Sequence, residues 1–153
     1  MQTLYCPIRK ERILAQPEEI VRQRLLILMT EQLGYPRECL VIEKALSKLP
    51  HLQNYNKPLP RRRVDILCYS RQSTGQGFAL KPLLLIECKA IPLDTGAFQQ
   101  ASGYNYYIGA PFIAIANETQ IFHGWKDLST GKFCYSNFLP YYKDLIEKNV
   151  GVL

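Results

Sequence analysis

The feature that most constrains the fold is a nearly continuous apolar run from Leu83 to Ile86, which ends in Glu87, Cys88 and Lys89. A short apolar run without polar alternation is typical of a strand that is buried on both faces of its sheet. Such a strand needs helices packed on both faces, so the run indicates an α/β (α+β-like) domain with a mixed central sheet flanked by helices.

Turn and capping residues divide the rest of the chain into further elements. Pro17 suits the first position of a first helix, and Gly109 suits the end of a second helix further along the chain. The order predicted is α-β-β-β-α-β-β in one domain over 1–153, with a core of about 15–126 and a C-terminal hairpin and short helix over 119–150. The predicted elements are a helix over 17–33, strands over 40–46 and 63–69, a turn or loop over 70–78, a strand over 83–89, a helix over 96–108, strands over 111–116 and 120–125, and a helix over 141–148.

Several classes of protein do not fit this sequence. Its apolar runs are too short for a membrane-spanning helix, and its first twelve residues contain no apolar core of a signal peptide. There is no GxxxxGK[ST] phosphate-binding loop, so we expect no ATP-driven motor in the chain. The five cysteines form no CxxC pair, and Cys68 and Cys88 lie in apolar surroundings. Buried thiols in a reducing cytoplasm are therefore expected rather than a disulfide framework or a zinc site.

The positive charge is concentrated in one half of the chain. Its 19 Lys and Arg residues exceed its 13 Asp and Glu residues, giving a net charge of +6. All of this excess lies in residues 1–63, which end in Arg61, Arg62 and Arg63. Such a cluster suits contact with nucleic-acid phosphates. A solvated face that keeps the protein soluble is about equally compatible with the charge alone.

Three charged residues indicate a possible catalytic centre. Glu87 and Lys89 share one face of their strand because side chains alternate along a strand, and Asp65 interrupts the apolar run of the preceding strand. Two carboxylates on rigid strands suit Mg²⁺, and a nearby lysine suits a water that attacks a phosphodiester. An acid-x-Lys triplet is expected about once by chance in this composition, so a solvated strand end remains an alternative. The apolar strand before it favours the catalytic interpretation.

The helix over 96–108 supplies two further candidates. Gln100 and Tyr104 lie one turn apart on the same face of that helix. They could hydrogen-bond the lysine or the DNA backbone. The alternative is ordinary helix packing through the neighbouring apolar residues, with Gln100 exposed.

These residues resemble the active-site pattern of the PD-(D/E)xK nuclease superfamily. More narrowly, the chain resembles the N-terminal nuclease domain family of type I restriction enzyme R proteins. The similarity covers about residues 15–126 in the same order. The stretches that carry it are Pro17–Gln23, Leu33–Pro36, Ile42–Lys44, Arg62–Ile66, Leu85–Ala90, Phe98–Asn105 and Ala110–Asn117.

The resemblance implies particular roles for the matching residues. Asp65, Glu87 and the Cys88 carbonyl would hold Mg²⁺, for which Mn²⁺ can substitute. Lys89 would be the catalytic lysine and Gln100 the residue that orients it. Glu18 resembles an additional metal-binding acid on the first helix, and the helical wheel also places it, rather than Glu19, in the middle of the apolar stripe. Secondary candidates for this acid are Glu19 and Glu43, the latter also readable as a strand residue paired with an arginine.

The expected function is therefore a Mg²⁺-dependent DNA endonuclease related to restriction or DNA processing. The predicted DNA contacts are Arg61, Arg62, Arg63 and Tyr104. Because phosphate contacts carry no sequence information, little intrinsic sequence specificity is expected. A homodimer, or a partner chain that supplies motor or specificity functions, is compatible with this role. The alternative is a noncatalytic DNA-binding or assembly subunit that retains the nuclease fold.

Overall fold

A six-stranded mixed sheet with helices on both faces forms the centre of the computed structural model, which describes residues 1–150. The strand order is β3-β4-β5-β6-β7-β8, and every neighbouring pair is antiparallel except the parallel pair β5–β6. The mixed sheet flanked by helices is as predicted. The strands are β3 (Leu40–Ala45), β4 (Arg63–Thr74), β5 (Gly77–Cys88), β6 (Phe112–Ala116), β7 (Ile121–Lys126) and β8 (Phe133–Ser136).

Three helices cover this sheet, namely α1 (Pro17–Glu31), α2 (Thr95–Ile108) and α3 (Tyr142–Val150). One core packs α1 and α3 against one face of the sheet, and a second core packs α2 against the other. The alternation of β5 explains this division, since Leu84 and Ile86 join the first core while Leu85 joins the second. The expectation that β5 is buried on both faces is therefore confirmed. No helix within residues 1–150 is long and apolar enough to cross a membrane.

The helix ends follow the local sequence. Pro17 and two acidic residues form the first turn of α1. Asp94 caps α2, because its carboxylate accepts a hydrogen bond from the N–H of Ala97 at 2.8 Å. Gly109 ends α2 with φ at +78°, a left-handed conformation that glycine adopts without steric cost. These features confirm both long helices, within a residue or two at each end.

The turn or loop predicted over 70–78 is correct only for its turn, since most of this stretch is strand. Strands β4 and β5 continue through it and turn only at Gly75 and Gln76, so the 21 residues between Asp65 and Glu87 form one long hairpin. The outer part of the hairpin projects beyond the core and is mostly exposed. Its sequence therefore lacks the apolar alternation by which a half-buried strand is recognised.

Two elements extend the predicted fold at its ends. A separate hairpin of β1 (Thr3–Cys6) and β2 (Glu11–Leu14) precedes α1 and was not predicted. Cys6 of this hairpin is buried in the core beneath α1. At the other end, β7 and β8 belong to the main sheet rather than to an appended hairpin. Cys68 and Cys88 are buried free thiols, as predicted.

Candidate active site

Asp65 and Glu87 meet at one end of the central sheet. Ile66 of β4 lies opposite Ile86 of β5, and the two acids are the next residues outward on these strands. The backbone N–H of Cys88 donates a hydrogen bond to Oδ2 of Asp65 at 2.8 Å, so the aspartate side chain reaches the strand that carries Glu87. Adjacent antiparallel strands therefore bring the two carboxylates to the same place.

A buried arginine forms ion pairs on the Asp65 side of the site. Nη2 of Arg22, on α1, donates to Oδ1 of Asp65 at 2.7 Å and to Oε1 of Glu43 at 2.6 Å. Nη1 of the same guanidinium contacts Glu19. Only 3% of Arg22 is exposed, so its charge lies inside the protein and is balanced by three carboxylates.

Glu43, which accepts a hydrogen bond from this arginine, has an unusual backbone conformation. It lies at the level of Asp65 on β3 but leaves the β3–β4 ladder, and its φ is +49°. A left-handed conformation is unfavourable for a residue with a side chain and is often found at functional sites. The structure therefore places Glu43 beside an arginine, one of the two interpretations considered for it. Arg63 is also near, with Nη1 3.8 Å from Oε2 of Glu43.

The Glu87 side of the site has weaker charge compensation. The phenol of Tyr104, on α2, donates a hydrogen bond to Oε2 of Glu87. Nη2 of Arg62 and Nζ of Lys89 each lie 3.9 Å from Oε1 of Glu87. Burial, reinforced by the charge of Asp65, raises the pKa of Glu87 from 4.5 to about 7, although Tyr104, Lys89 and Arg62 act in the opposite direction.

Among the remaining candidates, only some lie in this cluster. Arg62 stacks over the Tyr104 ring with its guanidinium carbon 4.4 Å from the ring centroid. Gln100 is exposed one turn before Tyr104, and the described residues offer it no hydrogen-bond partner. Glu18 is exposed, although its charge is close enough to raise the pKa of the Cys88 thiol. Glu19 is less exposed than Glu18 and is held by Arg9, Arg22 and Gln23.

A family comparison extends these observations. The family described as type I restriction enzyme R protein N terminus (HSDR_N) matches residues 17–140, most of the chain. The chain belongs to this family. No curated protein and no solved structure matches it significantly. As a member of the R protein N-terminal family, the chain is associated with restriction enzymes, which is consistent with a nuclease-related function.

The Mg²⁺ that the family resemblance implies can be tested against the donors present. Asp65 and Glu87 offer hard carboxylate oxygens on neighbouring strands, and Mg²⁺ commonly binds one or two carboxylates while keeping several waters. Within residues 1–150, no three His, Cys, Asp or Glu side chains are arranged as a metal-binding group. The donors of this R protein N-terminal domain therefore fit Mg²⁺ held by two carboxylates, with the rest of its shell from backbone or water.

Sequence reasoning missed Arg22, the residue with the most ion pairs in the site. A signal for it exists, since Arg22 follows Glu18 and Glu19 by four and three residues and lies among the buried residues of α1. A buried arginine requires acidic partners. The helical wheel placed acids near the apolar stripe of α1 in this R protein N-terminal domain. It did not indicate that a cation on the same helix would bind Asp65 and Glu43.

Proposed function

We propose that the chain is a metal-dependent DNA endonuclease domain that hydrolyses phosphodiester bonds in restriction or DNA processing. The observation that carries the proposal is the convergence of Asp65 and Glu87 beside Lys89, whose Nζ lies 3.9 Å from Oε1 of Glu87. Two acids and a lysine at the end of a buried strand need a reason, because buried charge is costly. Membership of the R protein N-terminal family supports the same chemistry and implies interaction with DNA.

Each residue has a distinct task in this proposal. Asp65 and Glu87 bind Mg²⁺ or Mn²⁺, and the Cys88 carbonyl is a third donor. When bound, the metal makes water a better nucleophile and offsets charge on the phosphate. Lys89 would orient the attacking water in line with the leaving oxygen. The resemblance assigns Gln100 the task of orienting the lysine, although Gln100 is exposed and contacts no hydrogen-bond partner among the described residues. Arg61, Arg62 and Arg63 hold backbone phosphates, which positions DNA without selecting a sequence.

The proposal is tested by nicking of supercoiled plasmid DNA in Mg²⁺ or Mn²⁺. We expect Asp65→Asn and Lys89→Met to lower the rate by about 100-fold or more, since each removes a group that acts in the transition state. The exposed Lys132, on the β7–β8 turn, provides a matched control, and Lys132→Met should cut like the wild type. Folded variants that all cut at the wild-type rate would assign the activity to a contaminant and refute the proposal.

A noncatalytic DNA-binding or assembly subunit is the second candidate function. It is favoured by Arg22, because a guanidinium that already contacts Asp65 and Glu43 can replace a metal ion as their counter-charge. Calorimetric titration with Mn²⁺ distinguishes the two. An endonuclease should bind the ion and lose that binding in Asp65→Asn, whereas an assembly subunit should bind DNA with a steep salt dependence and bind no metal. A homodimer or a motor partner is compatible with either function.

A further inference from the structure

A cleft lies beside the candidate active site, and apart from its three arginines its lining has no role in the chemistry described above. Its volume is about 560 Å³. It lies between the end of β3 and the segment that leads into β4, so it opens at the same end of the sheet as Asp65 and Glu87. Its lining includes Tyr55, Lys57, Leu59, Arg61, Arg62 and Arg63.

The charge of this cleft has a single sign. It is lined by one lysine and three arginines, and no Asp or Glu lines it. By contrast, four other clefts of the described chain each include at least one acid, namely Asp94, Glu118, Asp127, or Asp144 with Glu147. A concave surface lined by charges of one sign concentrates ligands of the opposite sign. The occupant should therefore be an anion.

Two of the arginines connect the cleft with the acids of the active site. Arg62 lines the cleft, and its Nη2 lies 3.9 Å from Oε1 of Glu87. Arg63 also lines the cleft, and its Nη1 lies 3.8 Å from Oε2 of Glu43. A chain of phosphates held by these arginines would thus run from the cleft to the acids. The anion that fits is a nucleotide next to the phosphodiester that is cut.

An aromatic side chain makes the cleft suitable for a base as well as a phosphate. Tyr55 lines it and is 37% exposed, with Leu52 and Leu59 providing apolar wall nearby. The Tyr55 backbone N–H donates to the Leu52 carbonyl at 3.2 Å, which holds the tyrosine in the turn. The side-chain amide of Gln53 binds the Leu49 carbonyl at 2.9 Å, which braces the same turn. A tyrosine ring flanked by cations is typical of sites where unpaired bases stack.

We propose that this cleft binds an unpaired nucleotide adjacent to the phosphodiester at Asp65 and Glu87, with its base stacked on Tyr55. The inference rests on the proposed function and specifies its substrate class as DNA with a single-stranded segment, such as a tail, flap or branch. A base inside a duplex has both faces covered by its neighbours, so it cannot stack on Tyr55. Lys57 and Arg61 contact the flanking phosphates of the unpaired strand.

Binding of fluorescent oligonucleotides in EDTA tests the inference without requiring a metal or cleavage. One probe is a blunt duplex, and the other is the same duplex with a single-stranded tail. We expect the wild type to bind the tailed probe about tenfold more tightly. Tyr55→Leu should abolish this preference while leaving blunt-duplex affinity unchanged. The exposed Tyr141 lies outside the cleft, so Tyr141→Leu should keep the preference.

A second variant separates stacking from charge. Arg61→Gln should weaken binding to both probes. It should also reduce the slope of log affinity against log salt concentration by about one, the contribution of one released counterion. Equal affinity of the wild type for the two probes would overturn the inference. So would a tail preference that survives in Tyr55→Leu, provided that the variant unfolds at the wild-type temperature. Neither result would affect the proposed endonuclease, which is judged by plasmid nicking, and a chain that prefers tailed DNA but never cuts would refute only the endonuclease.

Discussion

The two acids of the candidate site are almost equally buried but have very different partners. Asp65 is 9% exposed and Glu87 is 8% exposed. Asp65 receives hydrogen bonds from a buried guanidinium and from a backbone N–H, at 2.7 and 2.8 Å. Glu87 receives one from a neutral phenol, while its two cationic neighbours stay 3.9 Å away. Burial alone therefore does not determine the electrostatics of a carboxylate.

This difference assigns separate tasks to the two halves of the site. The Asp65 half is closed by a network of ion pairs that fixes its geometry. In the Glu87 half, the two cations come no closer than 3.9 Å, and burial together with the charge of Asp65 raises the pKa of Glu87 to about 7. A divalent cation beside Glu87 would therefore be most stabilising in this half of the site. Substitutions that remove one partner at a time test the contrast.

The largest effect is expected from Arg22→Met, which removes the cation of the Asp65 half. It leaves the carboxylates of Glu19, Glu43 and Asp65 without their shared partner, so we expect a loss of about 3–5 kcal/mol in the free energy of unfolding. Urea denaturation measures it. Arg24, on the same helix, forms an exposed ion pair with Glu118 and provides the control. Arg24→Met should cost less than about 1 kcal/mol.

Added Mg²⁺ sharpens this test. If the ion binds at Asp65, it should restore part of the stability that Arg22→Met loses, because binding to the folded state alone stabilises it. Equal losses of stability in Arg22→Met and Arg24→Met would show that the network around Asp65 contributes little to stability. An Arg22→Met variant that Mg²⁺ does not stabilise at all would argue against a metal at this half.

The sequence predicted the sheet and the long helices because their signals are local. An apolar run, a proline at a helix start and a glycine at a helix end each act within a few residues. Asp65, Glu87 and Lys89 became candidates in the same way, since a charge that interrupts or ends an apolar run can be recognised from the sequence alone. The outer part of the β4–β5 hairpin was missed because its exposed residues carry no such pattern.

The network around Arg22 could not be predicted in this way because its partners are remote in sequence. Arg22 reaches Glu43 on β3 and Asp65 on β4, 21 and 43 residues away. Which buried cation meets which acid depends on how α1 crosses the sheet. Periodicity indicates which helix face is buried but not what lies opposite it. The same limit applies to Tyr104, whose partner Glu87 became evident only from the packing of α2.

The next effect in size concerns the charge of Glu87. Its folded-state pKa of about 7 exceeds the ordinary 4.5, so the folded state holds a proton that the unfolded state has already lost. Stability should therefore fall as pH rises from 4.5 to 7, by up to about 3 kcal/mol, and stay low above that range. Glu87→Gln removes the charge and should abolish this decline, as measured by thermal and urea unfolding between pH 4 and 8.

The exposed Glu118 provides a control for this pH dependence, and Glu118→Gln should retain the wild-type decline. Mg²⁺ should stabilise the wild type above pH 7 more than Glu87→Gln, because the ion binds the ionised carboxylate. A wild type whose stability is flat between pH 4.5 and 7 would contradict the raised pKa. It would also remove the electrostatic difference between the two halves of the site.

The smallest effect is expected from Tyr104→Phe, which deletes only the phenol that donates to Glu87. The ring remains to pack beneath Arg62, so the cost should be about 1 kcal/mol, the usual worth of one hydrogen bond. Because that bond lowers the pKa of Glu87, its loss should move the pH-dependent decline in stability upward. Tyr106 is exposed on the same helix, and Tyr106→Phe should shift nothing. A Tyr104→Phe profile that coincides with the Tyr106→Phe profile would mean that the phenol does not influence the ionisation of Glu87.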